Sequence, residues 1–359
     1  MMDSTYRVQD RVLWVDTLKC MGIFVIYLGH FLDGAGFIYK FACMYVVQLF
    51  FFASGFFALR HIGTSTMKET ILSKCKHILL PYFTFSILSL MVQGIHDNLD
   101  IASLLPMVRQ AVGGIRNQLY APALWFLPCL FVVSILFDLI CRIVHKPWIV
   151  MSVATLIYAC AVNLLPFDAT ETPRWFFNID SALYYLFYYA LGAVLYPILL
   201  RFDWTKIRQW QGKKRCLTLI GIGVTGSIAV VVSLLTFFGR KDYFYLYPFF
   251  ARIPFLTWSY PIFIAMSIIF VNLWIAKRLQ VFPMLQAMGK NTLLLCGNEA
   301  MIKLLVPALM AIAGLQIQLT NPLSAYLYAF ILMLLVNYVI IPIEKKIIPG
   351  FLGYRRKTQ

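Results

Sequence analysis

Three ionisable residues interrupt the first long apolar segment of the chain, which runs over residues 12–32. They are Asp16, Lys19 and His30. In a helix, Lys19 and His30 would lie three turns and about 20° apart, and Asp16 would lie about 40° from His30, so all three share one broad face. An ionisable side chain near the centre of a bilayer costs about 2.5–3.5 kcal/mol, and such a stripe must therefore face protein or water. We predict that it marks a functional site.

The residue types suggest group-transfer chemistry. A neutral imidazole accepts a proton near neutral pH, and His30 is therefore a candidate general base for activating a hydroxyl. Asp33, about one turn later, could orient the ring or cap the helix end. Lys19 could hold a phosphate or a thioester group, with Asp16 three residues earlier as an ion-pair partner. The competing interpretations are a structural hydrogen bond between helices for His30 and a Lys19 that snorkels to headgroups.

Composition predicts an integral membrane protein. The chain has 359 residues, 61% of them hydrophobic, and its mean hydropathy is +0.78. Because strand-type alternation is absent, helices must satisfy the backbone within the membrane. We predict an all-α, polytopic helical bundle that forms one membrane domain over residues 1–359, without a soluble domain. At about 20 apolar residues per span, the ten predicted spans are 12–32, 40–59, 77–95, 121–140, 147–165, 180–200, 216–238, 250–271, 291–313 and 323–344.

The positive charge follows the expected topology. The formal net charge is +16, and most of the 31 Lys and Arg residues fall in alternate loops, an asymmetry that places both termini in the cytoplasm. Membrane lipids with anionic headgroups explain this excess, and nucleic acid is not an expected partner. The eight cysteines are scattered singly, without a C-x-x-C motif. Neither a disulfide framework nor a metal site is therefore expected.

A basic cluster follows the second span. Arg60, Lys74 and Lys76 lie there on the predicted cytoplasmic side. Charge-assisted bonds to phosphate need such cations, and the cluster is therefore a candidate binding site for a phosphorylated donor such as a coenzyme A nucleotide. The alternative is that these residues serve membrane topology alone.

Further polar or small residues lie within the spans and could support a site. Ser54 precedes a glycine, and small residues allow membrane helices to approach closely. Trp125 could belong to an interfacial aromatic belt or to the site. Asn298 and Glu299 lie about two turns into the ninth span, where a carboxylate requires a partner. Lys303, four residues after Glu299, offers a simple ion pair.

Five stretches resemble, in chain order, segments of the membrane acyltransferase-3 family. They are Arg11…Asp16-x-x-Lys19-x₁₀-His30, Phe51-Phe52-Ala53-Ser54-Gly55-Phe56, Lys74-Cys75-Lys76…Leu80-Pro81-Tyr82, Leu124-Trp125-Phe126-Leu127 and Met288-Gly289-Lys290-Asn291-Thr292. Within that family the chain is most similar to the fucose 4-O-acetylase-like subgroup. One position departs from the pattern. Family members often carry a His seven residues after the Ser or Thr of the late helix, whereas here that position is Glu299.

The resemblance implies an O-acyltransferase of the bacterial cytoplasmic membrane. It would move an acyl group, usually acetyl, from cytoplasmic acyl-CoA to a sugar hydroxyl of a cell-surface or exopolysaccharide, with a free or lipid-linked carbohydrate acceptor. Acetyl-CoA would be a co-substrate, and no permanently bound cofactor is expected. The basic cluster would hold the nucleotide, Lys19 would lie along the path of the pantetheine arm, and His30 would act as general base or relay the acyl group.

Two other classes remain open from the sequence. A transporter or flippase of a lipid-linked or small polar substrate would also need intramembrane charges and many helices. It would show paired broken helices and would act without acyl-CoA. A regulatory or sensing membrane protein is the third class, although the sequence predicts no soluble domain for it.

Overall fold

The structure is a helical bundle, and its described residues include no β-strand. The computed structural model describes residues 11–62, 65–202, 212–237, 254–316, 319 and 321–353. The α-helices are α1 (Leu13–Gly29), α2 (Phe37–Cys43), α3 (Val46–Gly55), α4 (Met67–Lys74), α5 (Leu80–His96), α6 (Ile101–Gly113), α7 (Phe126–Ile143), α8 (Pro147–Leu164), α9 (Ile179–Arg201), α10 (Gly212–Phe237), α11 (Pro254–Leu279), α12 (Pro283–Lys290), α13 (Thr292–Ile312), α14 (Pro322–Leu335) and α15 (Ile341–Ile347).

Eight helical segments of the described chain are long and apolar enough to cross a membrane. They are Met67–His96, Pro122–Ile143, Pro147–Leu164, Phe176–Arg201, Arg215–Val232, Ser259–Leu279, Thr292–Ile312 and Pro322–Ile347. A ninth is the pair α2 and α3, whose axes are bent by 43°. With α1, which has 17 residues, helices occur at all ten predicted positions. The polytopic helical bundle is therefore confirmed.

The helix at the position of the eighth predicted span continues past the predicted end of that span. The prediction ended at residue 271, whereas α11 continues to Leu279; residues 250–253 of the prediction lie outside the described part of the chain. A basic side chain in the continued part of the helix is bound inside the protein. The Lys277 ammonium donates hydrogen bonds to the carbonyls of Leu199 and Phe202, at 2.7 and 2.9 Å. The last turns of α11 are thus tied to the end of α9.

Helix α1 lies between two groups of packed apolar side chains. Trp14 and Leu18 belong to the first group, which also includes buried residues of α3, α7, α8, α9 and α11. Ile23 and Tyr27 belong to the second, with buried residues of α5, α13 and α14. All four side chains are buried. Because protein surrounds α1, its polar stripe is directed into the bundle interior.

Glycines allow helix backbones to approach each other closely at two places, between α3 and α9 and between α12 and α1. A Cβ at Gly55 of α3 would lie 2.0 Å from the Tyr189 oxygen, and one at Gly192 of α9 would lie 1.9 Å from the Phe52 oxygen. The Ser-Gly pair at the end of α3 therefore packs directly on the α9 backbone, as small residues do in membrane helices. A Cβ at Gly289 would lie 1.8 Å from the backbone oxygen of an α1 residue. This contact seats α12 on α1 just before α13 begins.

Candidate active site

One large cavity of about 950 Å³ lies along α1, and both Lys19 and His30 line it. Ser54 and Trp125 are also among its lining residues. His30 lies eleven positions after Lys19, which corresponds to about 16 Å along the helix axis. Two of the three residues of the predicted polar stripe therefore share one interior space, whereas Asp16 does not line it.

His30 lies at the end of α1, where it is the residue that follows the last helical turn. Its Nδ1 atom is 3.0 Å from Oε2 of Glu299, and the exposed fractions of the two side chains are 29% and 1%. The contact is at ion-pair distance, although its angles are not those of a hydrogen bond. Because the carboxylate lies beside Nδ1, Nε2 is the ring nitrogen left for a molecule in the cavity.

Glu299 also contacts Lys303 on the same helix. The Lys303 Nζ atom is 2.5 Å from Oε1 of Glu299 and donates a hydrogen bond of 2.7 Å to the carbonyl oxygen of Tyr27 on α1. It also lies 4.1 Å from the ring centre of Phe31. A buried carboxylate is costly without a partner of opposite charge. Lys303 supplies that partner, and the imidazole of His30 lies on the other oxygen.

Helix α13 presents these groups on one face. It begins at Thr292, whose hydroxyl donates a hydrogen bond of 2.6 Å to the Gly289 carbonyl. Cys296, Glu299 and Lys303 follow at four, seven and eleven residues after Thr292, a spacing that places all four on the same side of a helix. Thr292 and Cys296 line the cavity. The close approach of Gly289 to α1 thus fixes where α13 begins, and this start brings Glu299 to the end of α1.

The Glu299–His30 contact was missed from the sequence, which indicated only the simple pair of Glu299 with Lys303. The structure contains that pair and extends it to the imidazole. A signal for the contact was available, since the resemblance described above implies a His at the position that Glu299 occupies. Nothing in the spacing alone shows that this position faces the end of a helix nearly 270 residues earlier.

Asp16 is paired differently from the expected Asp16–Lys19 ion pair. Arg11 makes two contacts with its carboxylate, Nε to Oδ2 and Nη2 to Oδ1, the latter at 3.0 Å. Arg11 precedes α1, and its planar guanidinium can reach both oxygens at once, which favours it over an ammonium. Lys19 makes no hydrogen bond or ion pair with a described residue. Its ammonium is left to the cavity.

The predicted donor cluster is not brought to the cavity. Lys74 is half-buried and interacts electrostatically with Asp138 of α7, and Lys76 is exposed. Neither lines the cavity. The side chains of Arg60 and Asp33 lie outside the described part of the structure, so their predicted roles stay predictions.

Asn298 faces a different part of the bundle from Glu299. Its side-chain amide donates hydrogen bonds to the Leu294 carbonyl and to Oε2 of Glu344, each at 3.0 Å. It lines a smaller, mostly apolar cavity of about 320 Å³ between α13 and α15. Consecutive residues of a helix point about 100° apart, and that rotation separates Asn298 from the His30 side.

Other basic residues, which the sequence did not single out as a donor site, lie near the beginning of α1. Lys345 of α15 interacts electrostatically with Lys290 and Arg11, and Arg11 likewise interacts with Lys19. Lys345 donates a hydrogen bond of 2.8 Å to Oδ1 of Asn291. Residues far apart in sequence thus make the Lys19 end of the structure basic. Lys290 belongs to the Gly289-Lys290 pair already noted as a motif, which was the available signal.

A contact between an imidazole and a buried carboxylate, beside a long interior cavity, is suited to transferring a group within a membrane. A comparison with protein families agrees with that class. The acyltransferase-3 family model, described as an acyltransferase domain, matches residues 12–342. The chain therefore belongs to the acyltransferase-3 family, and it is a membrane acyltransferase. Comparisons with curated proteins and with solved structures gave no match.

Proposed function

We propose that this protein is an O-acyltransferase that moves an acyl group, acetyl in the first instance, from cytoplasmic acyl-CoA to a hydroxyl of a cell-surface or exopolysaccharide sugar. One observation carries the proposal: Lys19 and His30 line the same cavity. Their separation of about 16 Å along α1 suits an extended pantetheine arm with its thioester at the His30 end.

In the proposed reaction, His30 is the general base. Its Nε2 accepts the proton of the acceptor hydroxyl while the hydroxyl oxygen attacks the thioester carbonyl. The carbon–sulfur bond of the thioester breaks, a carbon–oxygen ester bond forms, and the proton passes to the leaving thiolate of coenzyme A. Glu299 is a positioning residue, since it lies 3.0 Å from Nδ1 and stabilises the imidazolium that forms after proton transfer.

The Lys19 end is the proposed donor side. Arg11, Lys290 and Lys345 surround that end with positive charge, which suits the phosphates of coenzyme A. Arg60, Lys74 and Lys76 stay as candidates for a more peripheral contact with the same nucleotide. The proposal places both termini in the cytoplasm of a bacterial cell and the protein in its inner membrane. It requires no permanently bound cofactor.

The proposed acceptor is a carbohydrate, either free or linked to a lipid. The resemblance to the fucose 4-O-acetylase-like subgroup supports this choice. Glu299 stands where that resemblance implies a late-helix His, so the proposed enzyme works without a His at this position. Here a single imidazole, backed by a buried carboxylate, would perform the proton transfer.

A label-transfer assay tests the proposal. Purified full-length protein is incubated with acetyl-CoA carrying a radiolabelled acetyl group and with surface glycan, and the glycan is then counted. We expect labelled glycan with the wild type and a loss of at least about 10²-fold with His30→Ala, the scale of a general base. His145→Ala is the matched control, because His145 is exposed and does not line the cavity. Equal transfer by the wild type and by His30→Ala would remove His30 from the mechanism. Absence of transfer to every glycan would contradict the proposed reaction.

A further inference from the structure

The cavity has a second wall that the proposed proton transfer does not use. Two connecting segments, 114–121 and 165–178, contribute polar and aromatic side chains to it, and we call them the loop wall. We propose that the loop wall and Gln48 of α3 form the binding subsite for the acceptor sugar. This subsite selects a neutral, hydroxyl-rich sugar ring over a phosphorylated one, and the inference rests on the proposed function.

Side-chain-to-backbone hydrogen bonds hold the two segments of the loop wall together. Asn178 adopts a left-handed backbone conformation with φ +52°; its amide donates a hydrogen bond of 2.6 Å to the Gly114 carbonyl and accepts one of 2.8 Å from the Arg116 backbone. Asn117 donates a hydrogen bond of 2.6 Å to the Glu171 carbonyl. A subsite needs side chains that are fixed before the ligand arrives. These bonds supply that rigidity.

The charges of the loop wall disfavour an anionic acceptor. The guanidinium of Arg116 lies 4.8 Å from the ring centre of Trp125 and donates a hydrogen bond to the Thr170 carbonyl. Part of its hydrogen-bonding capacity is thus used inside the protein. Two carboxylates, those of Asp168 and Glu171, also line the cavity, and Glu171 has no ion-pair partner among the described residues. Of the loop-wall side chains that line the cavity, two are therefore negative and one is positive. This balance disfavours a phosphate, whereas the carboxylate oxygens can accept hydrogen bonds from hydroxyl groups.

Gln48 offers the cavity a hydrogen-bond acceptor that has no donor among the described residues. Its side-chain oxygen is buried and has no hydrogen-bond partner in the described part of the structure, and the Gln48 side chain lies close to Tyr184. A buried polar atom left unpaired is destabilising. Gln48 lines the cavity, so a hydroxyl of a bound sugar could satisfy this oxygen.

Aromatic rings complete the subsite. Trp125, Tyr158 and Tyr184 all line the cavity, and the ring centres of Tyr158 and Tyr184 are 4.7 Å apart. Rings that combine a flat apolar face with a polar edge suit a ligand that is apolar on its faces and polar around its rim. A pyranose ring has that distribution of groups, whereas a simple alkyl alcohol offers nothing for the polar atoms to bind.

The test uses purified full-length protein in lipid nanodiscs with radiolabelled acetyl-CoA. The acceptors are methyl glucoside, methyl galactoside and methyl mannoside, each compared with its 6-phosphate. We expect at least one neutral glycoside to be acetylated with a kcat/KM at least about ten times that of its 6-phosphate.

Glu171→Gln should raise the KM for the neutral glycoside about threefold to tenfold. It should also reduce the preference for the neutral glycoside over its 6-phosphate, since it removes one negative charge. Gln48→Leu should raise the same KM about tenfold. The KM for acetyl-CoA should stay unchanged in both.

Matched controls and outcomes separate this inference from the proposed function. Asp97→Asn and Gln110→Leu change exposed residues outside the cavity and should leave every parameter as in the wild type. A neutral glycoside that is acetylated with the same acceptor KM in Glu171→Gln and Gln48→Leu would overturn the subsite while leaving the proposed function intact. A preference for the phosphorylated sugars would also overturn the subsite. Acetylation of no sugar in either set would contradict both.

Discussion

Replacement of Glu299 by Gln is the most informative single perturbation, because it removes one charge from the His30 contact and keeps the side chain's shape. The carboxylate lies 3.0 Å from Nδ1 of His30. With an effective dielectric constant of about 20, two unit charges at that distance attract each other by about 5 kcal/mol. His30 is partly open to the cavity, so water screens some of this attraction, and we take about 3 kcal/mol as the lost stabilisation of the imidazolium. Glu299→Gln should therefore lower kcat by about 10²-fold.

The assay must separate lost chemistry from lost folding. Glu299→Gln also leaves Lys303 without its carboxylate partner, and removal of one member of a buried ion pair commonly destabilises a protein by about 3–5 kcal/mol. The double variant Glu299→Gln with Lys303→Met removes both charges and should recover stability without recovering activity. Label transfer and the melting temperature are measured for both variants.

Glu344 provides the matched control for Glu299. It is a second carboxylate in a helical span, but its partner is Asn298, and it does not line the large cavity. Glu344→Gln should keep near wild-type kcat. A Glu299→Gln protein that is folded and retains more than a third of wild-type kcat would refute the role given to the carboxylate, as would an equal loss in Glu344→Gln.

Three further predictions follow from the packing and the cavity. Gly289→Ala should lower the melting temperature, because its Cβ would lie 1.8 Å from an α1 backbone oxygen and overpacking costs about 1–3 kcal/mol or more; Gly221→Ala, with no atom within 4 Å of its Cβ, should not lower it, and an equal loss in both would contradict the packing argument. Lys19→Ala should raise the KM for acetyl-CoA about tenfold, the scale for a lost charge-assisted bond, and leave the KM for the acceptor unchanged. Lys68→Ala changes an exposed residue and should change neither KM. An effect of Lys19→Ala on the acceptor KM alone would place the donor site elsewhere. Cys43 is exposed and lines the cavity, so with the other cysteines replaced by Ser a membrane-impermeant maleimide should label it in intact cells, and labelling only after lysis would reverse the proposed orientation.

Much of the fold could be predicted from the sequence because membrane helices carry a strong and local signal. About 20 apolar residues in a row are enough to indicate a span, and helices occur at all ten predicted positions. The boundaries were less predictable. Lys277 lies beyond the predicted end of the eighth span, but α11 continues through it, and its ammonium donates hydrogen bonds to carbonyls at the end of α9. Sequence cannot show such carbonyl acceptors.

The candidate site was predictable only in part, for a related reason. The shared face of Lys19 and His30 follows from helical periodicity alone, and both residues do line one cavity. The partners of these residues could not be read in the same way. Asp16 is bound by Arg11, five residues earlier, and Glu299 meets His30 from a helix distant in sequence. The Glu299–His30 contact depends on how α12 is seated on α1 at Gly289, which is a property of tertiary packing.

The most direct test of the proposed donor path is a structure of the full-length protein with a non-hydrolysable acyl-CoA analogue in which the thioester sulfur is replaced. We expect the nucleotide at the Lys19 end, the pantetheine arm along α1 within the cavity, and the acyl carbonyl within reach of Nε2 of His30. An analogue bound with its acyl group outside the cavity, or at the Lys19 end and remote from His30, would contradict the proposed path.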